Sequence, residues 1–147
     1  MNVFEQHILE IIDKYNMVQS GDTVVAAVSG GYDSMCMLSV LNSLKRVRGF
    51  NLCCAHVNHM LRNEADADEA FVVEFAKSLG IEVYTAKINV SEYAEKNKLS
   101  FETAGRILRY NFLEDVAQKF KNCKIATAHN ANDSVESMLM HLMRGSG

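Results

Sequence analysis

Apolar residues recur along this chain in two alternating rhythms. Phe4, Ile8, Ile11, Ile12 and Tyr15 stand at three- and four-residue spacing, which predicts a helix over residues 3–15. Ser20-Gly21-Asp22 breaks the pattern. Thr23-Val24-Val25-Ala26-Ala27-Val28 is then a short β-branched run, the composition of a strand buried on both faces. A glycine turn leads into a predicted helix over 33–48, which Gly49 ends. The alternation continues with a strand over 52–57 and a helix over 64–78. That helix carries Phe71, Val72 and Phe75 on one face and closes at Gly80. A third strand is predicted over 81–88. Ser91 is read as the N-cap of a short helix to 97, and Ser100 as the cap of a longer one over 101–120. A fourth strand over 124–128 and a last helix over 131–143 complete the series.

Strands alternating with helices predict βαβ units: an α/β fold with a parallel sheet flanked by helices. No low-complexity linker, internal repeat or proline marks a boundary, so residues 1–147 read as one domain. The end, Arg144-Gly145-Ser146-Gly147, follows directly on a predicted helix and reads as a hinge with a further half expected downstream.

Composition narrows the function classes. With 48% hydrophobic and 22% charged residues the chain has the balance of an ordinary globular protein. A net charge of -3 is not the footprint of a domain devoted to gripping a phosphate backbone. The N-terminus lacks a basic segment followed by an apolar one. No stretch approaches the roughly 20 apolar residues of a membrane span. The expectation is a cytoplasmic protein with no membrane partner. Cys36, Cys53, Cys54 and Cys123 form neither a C-x-x-C pair nor a zinc spacing, and read as free thiols in a reducing compartment. Cys53 and Cys54 are adjacent in a strand, so they should point to opposite faces.

The chemistry concentrates first in Ser29-Gly30-Gly31-Tyr32-Asp33-Ser34, between the first strand and the helix after it. Ligands of open parallel sheets bind at the carboxyl ends of the strands. Gly30 and Gly31 allow close approach of the backbone to phosphate, and the exposed N–H groups at a helix start favour an anion. Ser29 and Ser34 add hydroxyl donors. Asp33 would repel phosphate unless a divalent cation, with Mg²⁺ the usual choice, is shared between them. Neither G-x-x-x-x-G-K-S/T nor G-x-G-x-x-G occurs. The segment resembles the S-G-G-x-D-S loop of the ATP-pyrophosphatase (PP-loop) superfamily. That resemblance implies a Rossmann-like adenine-nucleotide alpha-hydrolase fold, and enzymes that cut ATP between its α and β phosphates and adenylate a substrate oxygen.

Three further blocks stand at strand ends or on one helix face. His56-Val57-Asn58-His59-Met60-Leu61-Arg62 follows the second strand, and either histidine alone would read as a loop residue. The ordered string resembles a block of the tRNA(Ile)-lysidine synthases. The acidic start Glu64-Ala65-Asp66-Ala67-Asp68-Glu69 also matches, but the helix dipole accounts for its four carboxylates and no chemistry is assigned to them. Glu102, Arg106 and Arg109 share a helix face. As residues they could be a solvated Glu–Arg face; with Tyr110 they resemble that family's E-x-x-A/G-R-x-x-R-Y stretch. Gly105 in mid-helix costs roughly 1 kcal/mol relative to alanine, which suggests close approach by something. Ala128-His129-Asn130-Ala131-Asn132-Asp133-Ser134-Val135-Glu136 reads by itself as a helix with an acidic first turn. It resembles the family's A-H-x-x-D/N-D-x-x-E-T motif, with Ser137 in place of the threonine. Arg144-Gly145-Ser146-Gly147 resembles its R-G-S/T-G block.

The resemblance runs in order from about 24 to 147 and implies the N-terminal catalytic domain of a lysidine synthase, with tRNA-binding regions beyond it. It implies a ligase that adenylates C2 of the wobble cytidine of tRNA(Ile), then joins free lysine there, releasing pyrophosphate and AMP. The implied ATP site is Ser29, Gly30, Gly31, Tyr32, Asp33, Ser34, His56 and Arg106. Asp33, Arg109 and His129 are the implied catalytic residues, Asp33 also the Mg²⁺ contact, and Asp133 and Glu136 hold the lysine. Expected partners are the tRNA(Ile) anticodon loop, free lysine and, as a homodimer, a second copy. Two alternatives share the loop: a PP-loop tRNA thiolase, which commonly needs cysteines for sulfur relay or an iron–sulfur cluster, and a non-catalytic nucleotide-binding module.

Overall fold

A computed structural model describes residues 2–61 and 64–128, together with the backbone of 141–144. The helices are α1 Val3–Lys14, α2 Tyr32–Arg48, α3 Glu64–Ser78, α4 Val90–Lys96 and α5 Phe101–Ala117. The strands are β1 Thr23–Ala27, β2 Asn51–Asn58, β3 Glu82–Lys87, β4 Cys123–Thr127 and β5 His141–Arg144. They form one sheet in the order β3-β2-β1-β4-β5. The first four are mutually parallel, as expected of βαβ units.

Strand alternation sorts the core onto two faces. Val24, Ala26, Cys54 and Ala126 pack with Ile8 and Ile12 of α1, Leu38 and Leu41 of α2, and Val72 and Ala76 of α3. Val25, Cys53, Ala55, Cys123 and Ile125 pack with Leu113, Val116 and Ala117 of α5. The neighbouring cysteines 53 and 54 therefore do lie on opposite faces. A smaller cluster of Val90, Ala94 and Ala104 joins α4 to α5. Because both faces are covered, β1 is apolar from Val24 to Ala27 and buried along most of its length.

Helix ends follow local hydrogen bonding. Asn2 and Glu5 form a reciprocal capping box on α1. Ser100 caps α5 by accepting from the Thr103 amide at 3.1 Å. The cap of α4 is Asn89, whose side chain accepts from the Glu92 amide at 3.0 Å, and not Ser91. Two other sequence expectations are corrected. Phe71 is exposed and only Val72 of its trio is fully buried, because a helical face of this width turns i−1 away from the sheet. The expected last helix does not reach 143. Residues 141–144 form β5, antiparallel to β4, with His141 opposite Thr127 and Arg144 opposite Lys124. That ladder pairs the otherwise open backbone edge of β4. The rest of that expected helix, 131–140, lies outside the described residues.

The chain moves outward from β1 to β2 and β3, then returns to β4 on the other side of β1. This reversal puts the topological switch point between β1 and β4, at whose carboxyl ends a crevice opens.

Candidate functional site

The segment 29–34 leaves β1 and enters α2 through a web of its own hydrogen bonds. Ser34 Oγ accepts from the Ser29 amide at 3.0 Å and donates to the Gly31 carbonyl at 3.1 Å. The Ser29 and Ser34 hydroxyls are 3.1 Å apart, and the Gly31 amide donates to Ser29 Oγ at 3.2 Å. Gly30 has φ +97°, a conformation that side-chain-bearing residues rarely adopt. Gly31 is the N-cap of α2 and provides no side-chain cap, so the first-turn amides keep donor capacity for an anion.

A cavity of about 470 Å³ opens beside this loop. Ala27, Val28 and Ser29 line it from β1, the residues from Ala55 to His59 from β2 and its following turn, and Thr127 and Ala128 from β4. Glu102, Gly105, Arg106, Arg109 and Tyr110 line it from α5. Of the residues expected at the site, Ser29, Ser34, His56, Arg106 and Arg109 thus meet in one cavity although they come from four elements. Gly30, Gly31, Tyr32 and Asp33 belong to the loop but do not line the cavity. Tyr32 is 80% exposed, and a hydrogen bond with Cys36 holds its phenol above the usual tyrosine range. His129, Asp133 and Glu136, like Arg62, lie outside the described residues.

His56 is buried at 3% exposure, and its Nδ1 lies 2.7 Å from the Val28 carbonyl oxygen. Its Nε2 is also buried and has no hydrogen-bond partner among the described residues. Thr127 Oγ1 at the end of β4 and His59 Nδ1 are in the same state. Three unsatisfied polar atoms on the residues of one cavity wall mark a place where the fold leaves its hydrogen bonding incomplete. Arg106 and Arg109 are exposed, and among the described residues no carboxylate pairs with either. The Glu102–Arg106 pair that their spacing allows is not formed. Arg109 instead lies over the Tyr110 ring, 5.3 Å from its centroid. Gly105 is not forced by protein packing. A Cβ there would meet nothing nearer than Val90 Cγ1 at 3.8 Å, so the space it leaves belongs to the cavity.

Sequence reasoning missed Asp68. Although it belongs to an acidic helix start that the helix dipole explains, it lines the cavity, and a Cβ on Gly30 would lie 3.5 Å from its own Cβ. The helix period from Ala65, which is buried, would have turned Asp68 inward. Asp33 lies in the first turn of α2 and Asp68 lines the cavity beside Gly30; both carry the hard oxygen donors that Mg²⁺ takes. Among the described residues no group of three or more ligating side chains is gathered for a metal. A Mg²⁺ here would take its remaining ligands from phosphate oxygens and water.

Sequence missed Asn58 as well. It is buried, donates to Asp66 Oδ1 at 2.8 Å and Glu69 Oε1 at 3.1 Å, and accepts from the Met60 amide at 2.9 Å. These bonds tie the turn after β2 to the first turns of α3, the two segments that bring His59 and Asp68 to the cavity.

The chain is 47% identical over 141 residues to a tRNA(Ile)-lysidine synthase of Clostridium tetani, covering 95% of this chain and 30% of that protein. It is 41% identical over 144 residues to a tRNA(Ile)-lysidine synthase of Petrotoga mobilis, covering 98% of this chain and 46% of that protein. The chain thus spans less than half the length of these curated relatives. Among solved structures it resembles a U34-tRNA thiolase of Methanococcus maripaludis, with a TM-score of 0.64 at 20% identity over 83% of this chain and 43% of the other. It also resembles an NH3-dependent NAD synthetase of Campylobacter jejuni, with a TM-score of 0.61 at 19% identity over 83% of this chain and 53% of the other. These two likenesses concern the fold alone. The family model of the PP-loop domain matches residues 1–147, and the chain belongs to that family.

Proposed function

We propose that this chain is the N-terminal catalytic domain of an ATP-dependent tRNA-modifying ligase of the lysidine-forming type. The observation that carries the reading is the convergence of Ser29 and Ser34 from the two ends of the loop, Arg106 and Arg109 on one cavity, in a chain 47% identical to a tRNA(Ile)-lysidine synthase. ATP lies with its phosphates on the loop. The C2 oxygen of the wobble cytidine attacks the α-phosphorus, the bond to the β-phosphate breaks, and pyrophosphate leaves. The amine of free lysine then attacks C2, loses a proton, and AMP departs with the oxygen.

Each step calls on residues of the chain. The amides of the loop, with the Ser29 and Ser34 hydroxyls, donate to phosphate oxygens. Arg109, and Arg106 after it, stabilise charge on the phosphates with paired N–H donors. His56 borders the nucleotide. Asp33, and Asp68 at the cavity, would hold Mg²⁺, which would supply charge neutralisation on the triphosphate. The roles of His129 beside the reacting groups and of Asp133 and Glu136 on the lysine ammonium are also part of this proposal. Holding all three substrates makes the second step effectively unimolecular. A cytoplasmic setting and a homodimer belong to the same reading; no helix among the described residues is long and apolar enough to cross a membrane.

The thiols weigh against a thiolase. Burial pushes Cys53 and Cys54 up to about 12 and Cys123 to about 11, which keeps them protonated and poorly nucleophilic. Only Cys36 reaches partial exposure. The test is incubation of the protein with ATP, Mg²⁺, tRNA(Ile), labelled lysine and labelled sulfide. AMP, pyrophosphate and label in the tRNA are expected. ADP and phosphate would overturn adenylation, and sulfide incorporation without lysine would establish the thiolase.

A further inference from the structure

Arg109 reaches the cavity without an acidic neighbour. At helical contact spacing on α5 it meets Gly105 and Arg106 on one side and Phe112 and Leu113 on the other, so its own helix supplies no carboxylate. Arg106 carries the same charge, and like charges at this spacing repel. Among the described residues no carboxylate of another element pairs with Arg109 either. Its guanidinium lies instead 5.3 Å from the centroid of the Tyr110 ring. Consecutive helical residues point about 100° apart and do not ordinarily face each other, so sequence spacing alone does not bring this pair together.

The ring itself is anchored. Tyr110 is half-buried and packs against the cluster of Val25, Cys53, Ala55 and Leu113, while it also lines the cavity. The sheet core therefore sets the place of the ring, and the ring sets the place of the guanidinium. An aromatic partner has a chemical consequence that an acidic one would not. A carboxylate would occupy the N–H donors of the arginine and offset its charge. A ring face attracts the cation through its quadrupole and accepts no strong hydrogen bond. Arg109 is thus held in position with its charge intact and its fork of N–H groups open to an anion.

We propose that Tyr110 is a positioning residue, whose core-anchored ring sets the Arg109 guanidinium where it meets the phosphates of ATP. The proposal rests on the reading of Arg109 as a phosphate contact and adds to it the group that prepares that contact. Its test is calorimetric titration of the protein with ATP and Mg²⁺, which requires no turnover. Tyr110→Leu removes the ring and should weaken ATP binding roughly 2- to 5-fold, the worth of a cation–π contact at an exposed site. Tyr110→Phe keeps the ring and should bind as the wild type does. Tyr110→pentafluorophenylalanine keeps the shape of phenylalanine and reverses the polarity of the ring face, so it should lose as much affinity as Tyr110→Leu with an unchanged melting temperature. In an Arg109→Ala background neither the leucine nor the fluorinated change should weaken binding further. Equal losses in both backgrounds, or a fluorinated variant that binds as Tyr110→Phe does, would make Tyr110 a packing residue and overturn the positioning role alone. ATP affinity unaltered by Arg109→Ala overturns the phosphate contact and the positioning role together. Wild-type protein that shows the coupling between the two residues but modifies no tRNA supports the role of Tyr110 and overturns the ligase reading.

Discussion

The imidazole Nδ1 of His56 sits 2.7 Å from the carbonyl oxygen of Val28, the last residue before the phosphate loop. A carbonyl can only accept, so Nδ1 carries a hydrogen and donates it. The Val28 amide in turn donates to the Ala55 carbonyl at 2.9 Å. Both backbone groups of Val28 are therefore held by β2, which sets where the loop departs from β1.

Removing that side chain should loosen the departure point. His56→Ala is expected to cost roughly 1–3 kcal/mol of stability, since a buried carbonyl loses its partner. It should also raise the ATP KM about tenfold, the equivalent of 1.4 kcal/mol. Thermal melts and steady-state kinetics check the two parts separately. An unchanged ATP KM with a lowered melting temperature would make His56 a fold residue only.

Gly30→Ala tests the backbone of the loop and not its space. A Cβ at Gly30 would meet Asp68 and Val72 at 3.5 and 3.7 Å, which is ordinary contact. The penalty comes from φ +97°, where a side chain costs at least about 1–2 kcal/mol. Relief of that strain would turn the loop amides away from phosphate. ATP binding by calorimetry is expected to fall more than tenfold, and equal affinity in the variant would exclude the loop from phosphate binding.

Asn58→Asp should convert the turn after β2 into a pH-sensitive element. In the native protein the hydrogen bond from Asn58, then the charge of Lys87, holds the Asp66 carboxyl below the usual carboxylate range. A lowered folded-state pKa contributes stability above the ordinary carboxylate pKa of about 4, and this is lost as pH falls. The variant would set a third carboxyl against Asp66 and Glu69, raising the folded-state values and reversing the sign. Its melting temperature is therefore expected to drop as pH rises from about 4 to 7, while that of the wild type does not. Parallel melting curves for the two proteins across that range would refute the assignment.

Thiol labelling checks the burial of both sheet faces at once. At neutral pH one cysteine of the native protein, Cys36, should react readily with an alkylating reagent. Cys53, Cys54 and Cys123 should label only after denaturation, since their thiols are buried and pushed well above neutrality. Peptide mass spectrometry before and after unfolding gives the answer, and rapid labelling of Cys53 or Cys54 would contradict the packing on that face.

The sequence by itself determined the order of elements from α1 to β4, because periodicities of two and 3.6 residues are local properties of the chain. It also determined the loop, whose Ser-Gly-Gly-x-Asp-Ser order carries its own requirement for positive φ and close approach. The opposite facing of Cys53 and Cys54 followed from pleating alone. What the tertiary structure decided was proximity. Strand order beyond neighbours in the chain, the switch point beside β1, and the meeting of His56, Arg106 and Arg109 around one cavity depend on packing between distant segments. Asp68 became a site residue only when α3 docked beside Gly30. Asn58 became the fastening of the β2–α3 turn only when Asp66 and Glu69 came within hydrogen-bond reach. The antiparallel β5 was illegible for the same reason. Residues 141–143 carry a helix-like local pattern, and the open edge of β4 that pairs with them exists only in the assembled sheet.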